Sequence, residues 1–378
     1  MRVALFTNNY LPFRGGVTTA VETLRTGLEA SGHQAWVFAP AAAGAGDAQG
    51  IFRYPSIPAP TYPGFAVPLP YSLRLARVAR GLRPDIVHAQ HPFLLGVTAR
   101  RVARRLGVPL VFTYHTRYEK YAHYVPAPER LVAALAVRLA CRFADQADLV
   151  IAPSGRIAET LRARGVRARV AVVPTGVPLD RFRPDDGASA RRGLGLAPDT
   201  LVCLYVGRLD REKSVERVIE AFGLIAGALP EARLLLVGQG SHAEALRRRA
   251  AASPARDRIR LVGGVEREAL PPYYRAADLF LFASETETQG LVLAEAHACG
   301  LAAVAVRASG VEEVVVDGET GLLTKPEARD LADAAIGLLV DPARRAAMGA
   351  AGRAIAERAF SAAGQVAAMV NLYAGLRG

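Results

Sequence analysis

The feature that most constrains this chain is an alternation between short apolar runs, rich in β-branched residues, and longer amphipathic stretches. An alternation of this kind predicts parallel strands joined by crossover helices. In the first half the predicted strands are 3–7, 35–38, 85–88, 110–113, 149–152 and 170–173. The proline-rich segment 54–71 interrupts the pattern, and it predicts a long ordered loop because proline excludes helix interiors and central strands.

The pattern then restarts after a polar stretch at 183–198. Its predicted strands are 201–206, 233–237, 259–262, 279–282 and 303–306. A chain of 378 residues also exceeds the usual size of a single hydrophobic core. We therefore predict two Rossmann-like α/β domains, 1–180 and 199–358, with a linker near 180–198 and a ligand in a central cleft that the domains face.

Charge is divided unevenly between these halves. The net charge is +12; residues 1–180 carry 22 Lys and Arg against 10 Asp and Glu, whereas residues 181–378 carry 25 against 25. A basic first half suits nucleic acid or an anionic lipid surface, although a solvated basic face is the plainer interpretation. Two predicted helices hold much of the excess, with arginines at positions 74, 77, 80, 83, 100, 101, 104 and 105.

The remaining composition is that of a cytoplasmic protein. The N-terminal apolar run is short and lacks a cleavage site, so it predicts a first strand and not a signal peptide. No stretch is long and apolar enough to span a bilayer. Cys141, Cys203 and Cys299 lie far apart, which indicates neither a disulfide framework nor a zinc site. We expect no metal and no cofactor.

Three motifs follow predicted strands. Gly15 and Gly16 come just before the first helix, where glycine lets backbone N–H groups approach a phosphate. Arg208 and Lys213 follow the first strand of the second half, where two cations can neutralise a pyrophosphate, although surface charges also occur at such turns.

The most specific motif is the segment 284–296, in which Glu287 and Glu295 flank the start of a helix. Carboxylates accept hydrogen bonds from vicinal hydroxyls, so Glu287 suits a sugar ring and Glu295 a ribose, although two glutamates at a helix start can also be dipole compensation. The N–H groups at the helix start suit a phosphate. They belong to Thr288, Gln289, Gly290 and Leu291.

The glycine pair, the Gly-Arg-x4-Lys motif and the Glu-x7-Glu motif together resemble the family 4 retaining glycosyltransferases, which have the GT-B fold. The resemblance covers nearly the whole chain. It implies Gly16 near the donor phosphates, Arg208 and Lys213 on the diphosphate, and Val265 on the nucleotide base. Glu287 would then hold the donor sugar and Glu295 the ribose. The family also implies that a C-terminal helix within 360–378 returns to the first domain.

A narrower resemblance, to bacterial glucosyl-diacylglycerol synthases, comes from Thr113 to Val125, from Thr286 to Gly290 and from the Pro-Ser-Ile-Pro loop at 55–58. It places His115 beside the anomeric centre of the donor sugar. It implies transfer of glucose from UDP-glucose to diacylglycerol, by an enzyme bound peripherally to the inner face of the cell membrane.

The family implies a retaining, front-face reaction in which the leaving phosphate helps to take the acceptor proton. The sequence has no Asp-x-Asp, so we expect Arg208, Lys213 and helix N-termini to do the work of a metal. Alternatives stay open: a phosphatidylinositol mannosyltransferase, or a transferase that builds a polysaccharide or a small glycoside. An epimerase of the same fold is another. A basic nucleic-acid-binding protein is the alternative from a different class, but no recognition motif supports it.

Overall fold

The structure is a computed structural model that describes residues 1–44, 48–59, 65–125 and 127–377. It divides into two compact units, Met1–Gly176 with Ala362–Gly378, and Val177–Ser361. Each unit is built on one parallel sheet. Strands such as Ile86–Ala89 and Leu279–Phe282 are buried along their whole length, as expected for parallel strands covered by helices on both faces.

The strands of the first unit form a seven-stranded sheet in the order β3-β2-β1-β6-β7-β8-β9, and β4 and β5 form a separate antiparallel pair. Their bounds are β1 (Arg2–Phe6), β2 (Gln34–Pro40), β3 (Ile51–Tyr54), β4 (Ser56–Pro58), β5 (Ala66–Pro68), β6 (Ile86–Ala89), β7 (Leu110–Thr113), β8 (Leu149–Ala152) and β9 (Val170–Val172). The helices are α1 (Gly16–Ala30), α2 (Leu73–Leu82), α3 (Leu95–Leu106), α4 (Glu129–Ala144), α5 (Gly155–Ala163) and α13 (Ala362–Ala374), with a 3₁₀ segment at Tyr118–Tyr124.

The helices of this unit cover the two faces of its sheet separately. One core layer holds buried side chains of α2, α3, α4 and α5, and the other holds those of α1 and α13. The C-terminal helix is fixed in place by Tyr373, whose hydroxyl lies 2.7 Å from Nδ1 of the buried His88. Gly27 on α1 faces Val366 on α13, and a Cβ at Gly27 would overlap that side chain. The helix nearest the C-terminus therefore packs on the first unit.

The second unit has a six-stranded sheet in the order β12-β11-β10-β13-β14-β15. Its strands are β10 (Leu201–Val206), β11 (Ala232–Val237), β12 (Ile259–Gly263), β13 (Leu279–Phe282), β14 (Ala303–Val306) and β15 (Gly321–Thr324). Its helices are α6 (Gly187–Gly193), α7 (Val215–Ala228), α8 (Ala243–Ala251), α9 (Pro271–Ala276), α10 (Leu291–Ala298), α11 (Ala328–Leu339) and α12 (Pro342–Ala359), with 3₁₀ turns at Arg211–Lys213, Arg256–Arg258 and Arg267–Ala269.

Two segments differ from the sequence-based expectation. The segment 54–71 is not a plain loop, because β4 and β5 pair within it; prolines are tolerated in such a short two-stranded sheet. Residues 60–64 of that segment lie outside the described part. The stretch expected as a linker packs with the second unit: α6 lies against α9, and the Val177 N–H donates to the Phe360 carbonyl oxygen at 2.7 Å.

In both sheets the strand order reverses at one point, where the chain returns to the other side of the first strand. The first sheet grows from β1 to β2 and β3 and then resumes at β6 on the other side of β1; the second does the same with β13 beside β10. Loops that leave neighbouring strands at such a point diverge and open a crevice, which is where ligands of α/β sheets bind.

Candidate functional site

The switch point of the second sheet brings two of the sequence motifs together. The segment after β10 carries Arg208 and Lys213, and the segment after β13 carries Glu287. The two segments meet where Thr286 Oγ1 donates to the Glu212 carbonyl oxygen at 3.4 Å. Residues that are more than 70 positions apart in sequence thus form one charged cluster at the carboxyl edge of the sheet.

Arg208 is held between two acidic side chains. Its guanidinium hydrogen-bonds Asp210 Oδ2, and Nη2 donates to Glu212 Oε1 at 2.9 Å. Asp210 is completely buried, and its other oxygen accepts from the backbone N–H and the hydroxyl of Ser241, both at 2.8 Å. Asp210 therefore fixes the guanidinium of Arg208 and joins the loop after β10 to the loop after β11.

Lys213 pairs directly with Glu287. Its Nζ donates to Glu287 Oε1 at 2.6 Å, and the lysine is buried. Burial alone would raise the pKa of Glu287, but the charge and hydrogen bond of Lys213, with help from Ser284 and Arg208, hold it below its usual value. Glu287 is therefore an ionised acceptor that sits beside two cations.

The helix that follows Glu287 begins without a side-chain cap. Gly290 is the N-cap of α10 and has a positive φ of 77°, a conformation that favours glycine. The first turn begins at Leu291 and carries the positive end of the helix dipole; within it the Leu293 N–H donates to the Gly290 carbonyl oxygen at 2.9 Å. Gly310 packs on Glu287 from the loop after β14, where a Cβ would lie 2.3 Å from the Glu287 carbonyl oxygen.

Glu295 has a separate set of partners. It is buried on α10, and its Oε1 accepts from Arg267 Nε at 3.1 Å and Nη2 at 3.0 Å. Its Oε2 accepts from the Tyr274 hydroxyl at 3.0 Å. Val265, partly buried, precedes Arg267 in the segment that leaves β12. A carboxylate has about four lone-pair directions, so these bonds orient Glu295 and leave it capacity to accept from hydroxyls.

The remaining predicted residues belong to the first unit. Gly15 is the N-cap of α1 without a side-chain cap, and Gly16 is exposed, with nothing within 4 Å of where its Cβ would be. The nearby end of β1 is fixed by Asn8, whose Oδ1 accepts from the Leu95 N–H at 3.0 Å. The start of α1 thus presents open backbone at the carboxyl edge of the first sheet.

His115 follows β7 and is only partly exposed. Its Nε2 lies 2.7 Å from Oε1 of the buried Gln90. Burial lowers the pKa of His115 to about 4. Burial also lowers the pKa of His88 and of His91 to about 3, with a smaller contribution from repulsion by His115 when that ring is protonated. All three rings are therefore neutral near pH 7, and His115 acts as a hydrogen-bonding group without charge.

The arginines of α2 and α3 lie on neighbouring helices. Both helices bury apolar side chains in the same core layer, and Arg101 of α3 stacks over the ring of Tyr71, just before α2, at 5.0 Å. Arg100 is partly buried and hydrogen-bonds Gln146, whereas Arg104 and Arg105 are exposed. The arginines 74, 77, 80 and 83 are all exposed. The two helices thus pack on the same face of the first sheet and carry mostly exposed arginines, and we refer to these arginines as the basic surface.

Sequence reasoning missed several side chains of this site. Asp210 and Glu212 lie inside the Gly-Arg-x4-Lys segment, where two acidic residues beside the arginine that is predicted to bind phosphate were a signal. Arg267, Tyr274 and Gly310 come from distant segments, and no local pattern singles them out.

Across residues 1–44, 48–59, 65–125 and 127–377, no group of three His, Cys, Asp or Glu side chains is arranged to hold a metal ion.

Comparison with known families assigns both halves of the chain. The profile of "Glycosyltransferase Family 4" matches residues 14–181, and that of "Glycosyl transferases group 1" matches residues 188–355. The chain therefore belongs to the family 4 glycosyltransferases. Of the helices that the structure describes, none is both long and apolar enough to cross a membrane.

Two similar proteins carry the name alpha-monoglucosyldiacylglycerol synthase. That of Streptococcus pneumoniae is 30% identical over 90% of this chain and 78% of its own length. That of Acholeplasma laidlawii is 30% identical over 85% of this chain and 84% of its own length. A GDP-mannose-dependent alpha-(1-6)-phosphatidylinositol monomannoside mannosyltransferase of Mycolicibacterium smegmatis is 32% identical over 92% of both chains.

Solved structures agree on the fold. Sucrose-phosphate synthase from Thermosynechococcus elongatus has a TM-score of 0.83 at 25% identity, covering 99% of this chain and 98% of that one. HepE from Anabaena, solved in complex with UDP-glucose, has a TM-score of 0.79 at 22% identity, covering 100% of both chains. The two parallel-sheet units are those of the GT-B fold, and the chain is a glycosyltransferase.

Proposed function

We propose that this glycosyltransferase moves glucose from UDP-glucose to diacylglycerol in a membrane, with retention of the anomeric configuration. The observation that carries the donor half of this proposal is the cluster of Arg208, Lys213 and Glu287 at the switch point of the second sheet. Similarity to two synthases of this name supports the acceptor half, and the UDP-glucose complex of HepE supports the donor.

In the donor site, the guanidinium of Arg208 and the ammonium of Lys213 bind the diphosphate and stabilise the charge that develops as it leaves. The start of α10, at Gly290, adds the positive end of its dipole, and the open backbone at Gly16 adds further N–H groups. Glu287 accepts hydrogen bonds from the sugar hydroxyls. Together these positive groups would stabilise the leaving diphosphate without a metal ion.

The nucleoside is held by a second group of residues, around Glu295. Glu295, oriented by Arg267 and Tyr274, accepts from the ribose hydroxyls, and the backbone at Val265 contacts the base. Because Arg267 and Tyr274 hydrogen-bond both oxygens of Glu295, the ribose would bind a carboxylate whose orientation is already fixed.

The chemical step breaks the bond between the anomeric carbon and the diphosphate and forms a bond from that carbon to the acceptor oxygen on the same face. The acceptor proton passes to the leaving phosphate oxygen. His115 hydrogen-bonds the sugar near the anomeric carbon. Its low pKa keeps the imidazole neutral, which avoids placing a cation beside an oxocarbenium-like centre.

The membrane acceptor is supported by the basic surface of α2 and α3. Exposed arginines bind lipid phosphates, and each contributes about 1 kcal/mol near an anionic surface. This surface would hold the protein peripherally on the inner face of the cell membrane, where diacylglycerol is embedded. Nucleic acid is not a partner in this proposal.

A second candidate is a phosphatidylinositol mannosyltransferase that uses GDP-mannose, which the 32% identity to the Mycolicibacterium enzyme favours. The test is to incubate the protein with UDP-glucose, UDP-galactose and GDP-mannose in turn, with vesicles that contain diacylglycerol or phosphatidylinositol, and to identify products by mass. Glucosyl-diacylglycerol from UDP-glucose is the expected product. Mannosylation of phosphatidylinositol would favour the second candidate.

A further inference from the structure

Helix α4 exposes a row of leucines. Leu131, Leu135 and Leu139 are 69%, 57% and 43% exposed and recur every four residues, so they lie along one face of the helix. The opposite face is buried through Ala140, Phe143 and Ala144. We refer to the three exposed residues as the leucine ridge. Single exposed leucines are ordinary on a protein surface, but a continuous ridge indicates an interaction site.

The leucine ridge is surrounded by positive charge. Arg130, Arg138 and Arg142 are exposed on α4, and Glu129 at its first position is the only acidic residue of the helix. An apolar face bordered by arginines is the pattern of a helix that lies in the headgroup layer of a membrane.

Helix α4 also extends the basic surface of the two preceding helices. A Cβ at Gly96 on α3 would lie 3.5 Å from the Phe143 ring of α4, and Arg100 of α3 hydrogen-bonds Gln146 just after α4. α2, α3 and α4 carry three, four and three arginines and a single acid, Glu129. All three helices cover the same face of the first sheet.

We propose that the leucine ridge of α4 inserts into an anionic bilayer while the surrounding arginines bind lipid phosphates. The proposal rests on the membrane acceptor proposed above, and it adds an apolar anchor to the electrostatic attraction of α2 and α3. α4 packs on the 3₁₀ segment Tyr118–Tyr124, which follows His115 closely in the chain. Insertion of the ridge therefore brings this 3₁₀ segment, which begins three residues after His115, towards the bilayer surface.

Charge complementarity selects the bilayer over a second copy of the chain. A two-fold dimer through the ridge would place the arginines of one copy against those of the other, and like charges across an interface oppose association. An anionic lipid surface offers phosphates to the same arginines and an apolar layer to the leucines.

The test compares L131Q/L135Q/L139Q with a matched control, L224Q/V316Q/V340Q, which removes three exposed apolar side chains of the second unit. Sedimentation with phosphatidylglycerol vesicles is measured at low and at high salt. High salt weakens the electrostatic attraction, so it exposes the apolar contribution. We expect the ridge variant to lose at least about tenfold in vesicle affinity at high salt, while the control keeps the affinity of the parent.

A second measurement does not depend on the folding of the triple variant. The variant L135W has one more tryptophan than the parent. Vesicles that contain brominated lipids should quench the fluorescence of this additional tryptophan. Unchanged vesicle affinity of a folded ridge variant, or a tryptophan that brominated lipids do not quench, would overturn the proposal. So would a lipid-free dimer that the ridge variant dissociates.

Transfer assays separate this proposal from the proposed function. If the ridge docks the enzyme, the triple variant loses transfer to diacylglycerol in vesicles but keeps transfer to short-chain diacylglycerol in detergent micelles. If the parent binds vesicles through the ridge yet transfers to neither form of diacylglycerol, the docking proposal stands and the proposed acceptor is wrong.

Discussion

The two units share one architecture but arrange their charges in opposite ways. In the second unit the important cations are paired with carboxylates: Arg208 with Asp210 and Glu212, Lys213 with Glu287, and Arg267 with Glu295. In the first unit the excess of arginine is spread over the exposed faces of α2, α3 and α4. Paired, partly buried charges have fixed positions and suit a small ligand, whereas exposed charges of one sign suit an extended surface.

The largest expected effect is at the paired charges. Lys213→Ala removes a cation that is proposed to bind the leaving diphosphate and leaves Glu287 without its main partner, so kcat/KM should fall about 100-fold. Arg211→Ala is the control, because Arg211 is exposed on the same 3₁₀ turn. Unchanged kcat/KM in a folded Lys213→Ala protein would remove the phosphate role of this residue.

The next effect tests the exposed charges. Changing Arg100, Arg101, Arg104 and Arg105 to Gln should lower affinity for anionic vesicles about thirtyfold. Arg104 and Arg105 are exposed and each contributes about 1 kcal/mol, whereas Arg100 is bonded to Gln146 and Arg101 to Tyr71. Lipid glycosylation should fall with the vesicle affinity, whereas nucleotide affinity in a calorimetric titration should not change.

The control for this change removes equal charge elsewhere. Its four arginines are exposed in the second unit and are changed to Gln at positions 247, 248, 256 and 329. If both variants lose vesicle binding equally, net charge and not the placement of arginines on α2 and α3 attracts the membrane.

A smaller effect separates the two carboxylates of the donor site. Glu287→Gln should lower transfer about tenfold while free nucleotide diphosphate still binds, because Glu287 is proposed to contact the sugar. Glu295→Ala should instead lower the affinity for the free nucleotide by at least about tenfold, since it removes the proposed ribose acceptor and takes a hydrogen-bond partner from the partly buried Arg267 and the buried Tyr274. Equal losses of nucleotide affinity in a calorimetric titration of both variants would contradict the division of roles.

The last effect concerns the dependence of stability on pH, which is measured on a different scale from the activity effects above. Burial lowers the pKa of His88 and His91 to about 3 and of His115 and His297 to about 4, whereas an unfolded histidine titrates near 6.5. Between those values the unfolded chain binds more protons, so the free energy of unfolding should fall as pH drops from 6.5 towards 4, by up to about 1.4 kcal/mol per pH unit for each histidine.

Urea denaturation at pH 7, 6 and 5 measures this dependence. A midpoint that does not change over that range would show that the four rings are not held neutral. The same low pKa predicts that His115 contributes no titration near pH 6.5 to the pH profile of kcat/KM. The shape of that profile near pH 6.5 should therefore be the same in His115→Asn as in the parent.

Much of this molecule was predictable from local pattern. All eleven strands predicted from the sequence are present, and the rule that ligands bind at the carboxyl ends of strands points to Arg208, Lys213 and Glu287, which the structure brings together. The strands β3 and β15 were missed because each is short and lies at the edge of its sheet, where alternation is weak. Segment 183–198 looked like a linker because its contacts with α9 are long-range.

The partners within the site were harder to predict. Arg267 and Tyr274 reach Glu295 across 28 and 21 residues, and Gly310 reaches the Glu287 backbone from another strand's loop. The leucine ridge was hidden because α4 is apolar on both faces, so its sequence does not show which leucines are exposed. Such features depend on packing between distant segments, which a local pattern does not encode.

The most direct measurement of the account is transfer of labelled glucose from UDP-glucose to diacylglycerol in vesicles of increasing phosphatidylglycerol content, with the anomeric configuration of the product determined by NMR. We predict α-glucosyl-diacylglycerol, at a rate that rises with anionic lipid while the KM for UDP-glucose stays constant. A product with inverted configuration, or transfer to a water-soluble acceptor but none to diacylglycerol at any vesicle composition, would contradict the account.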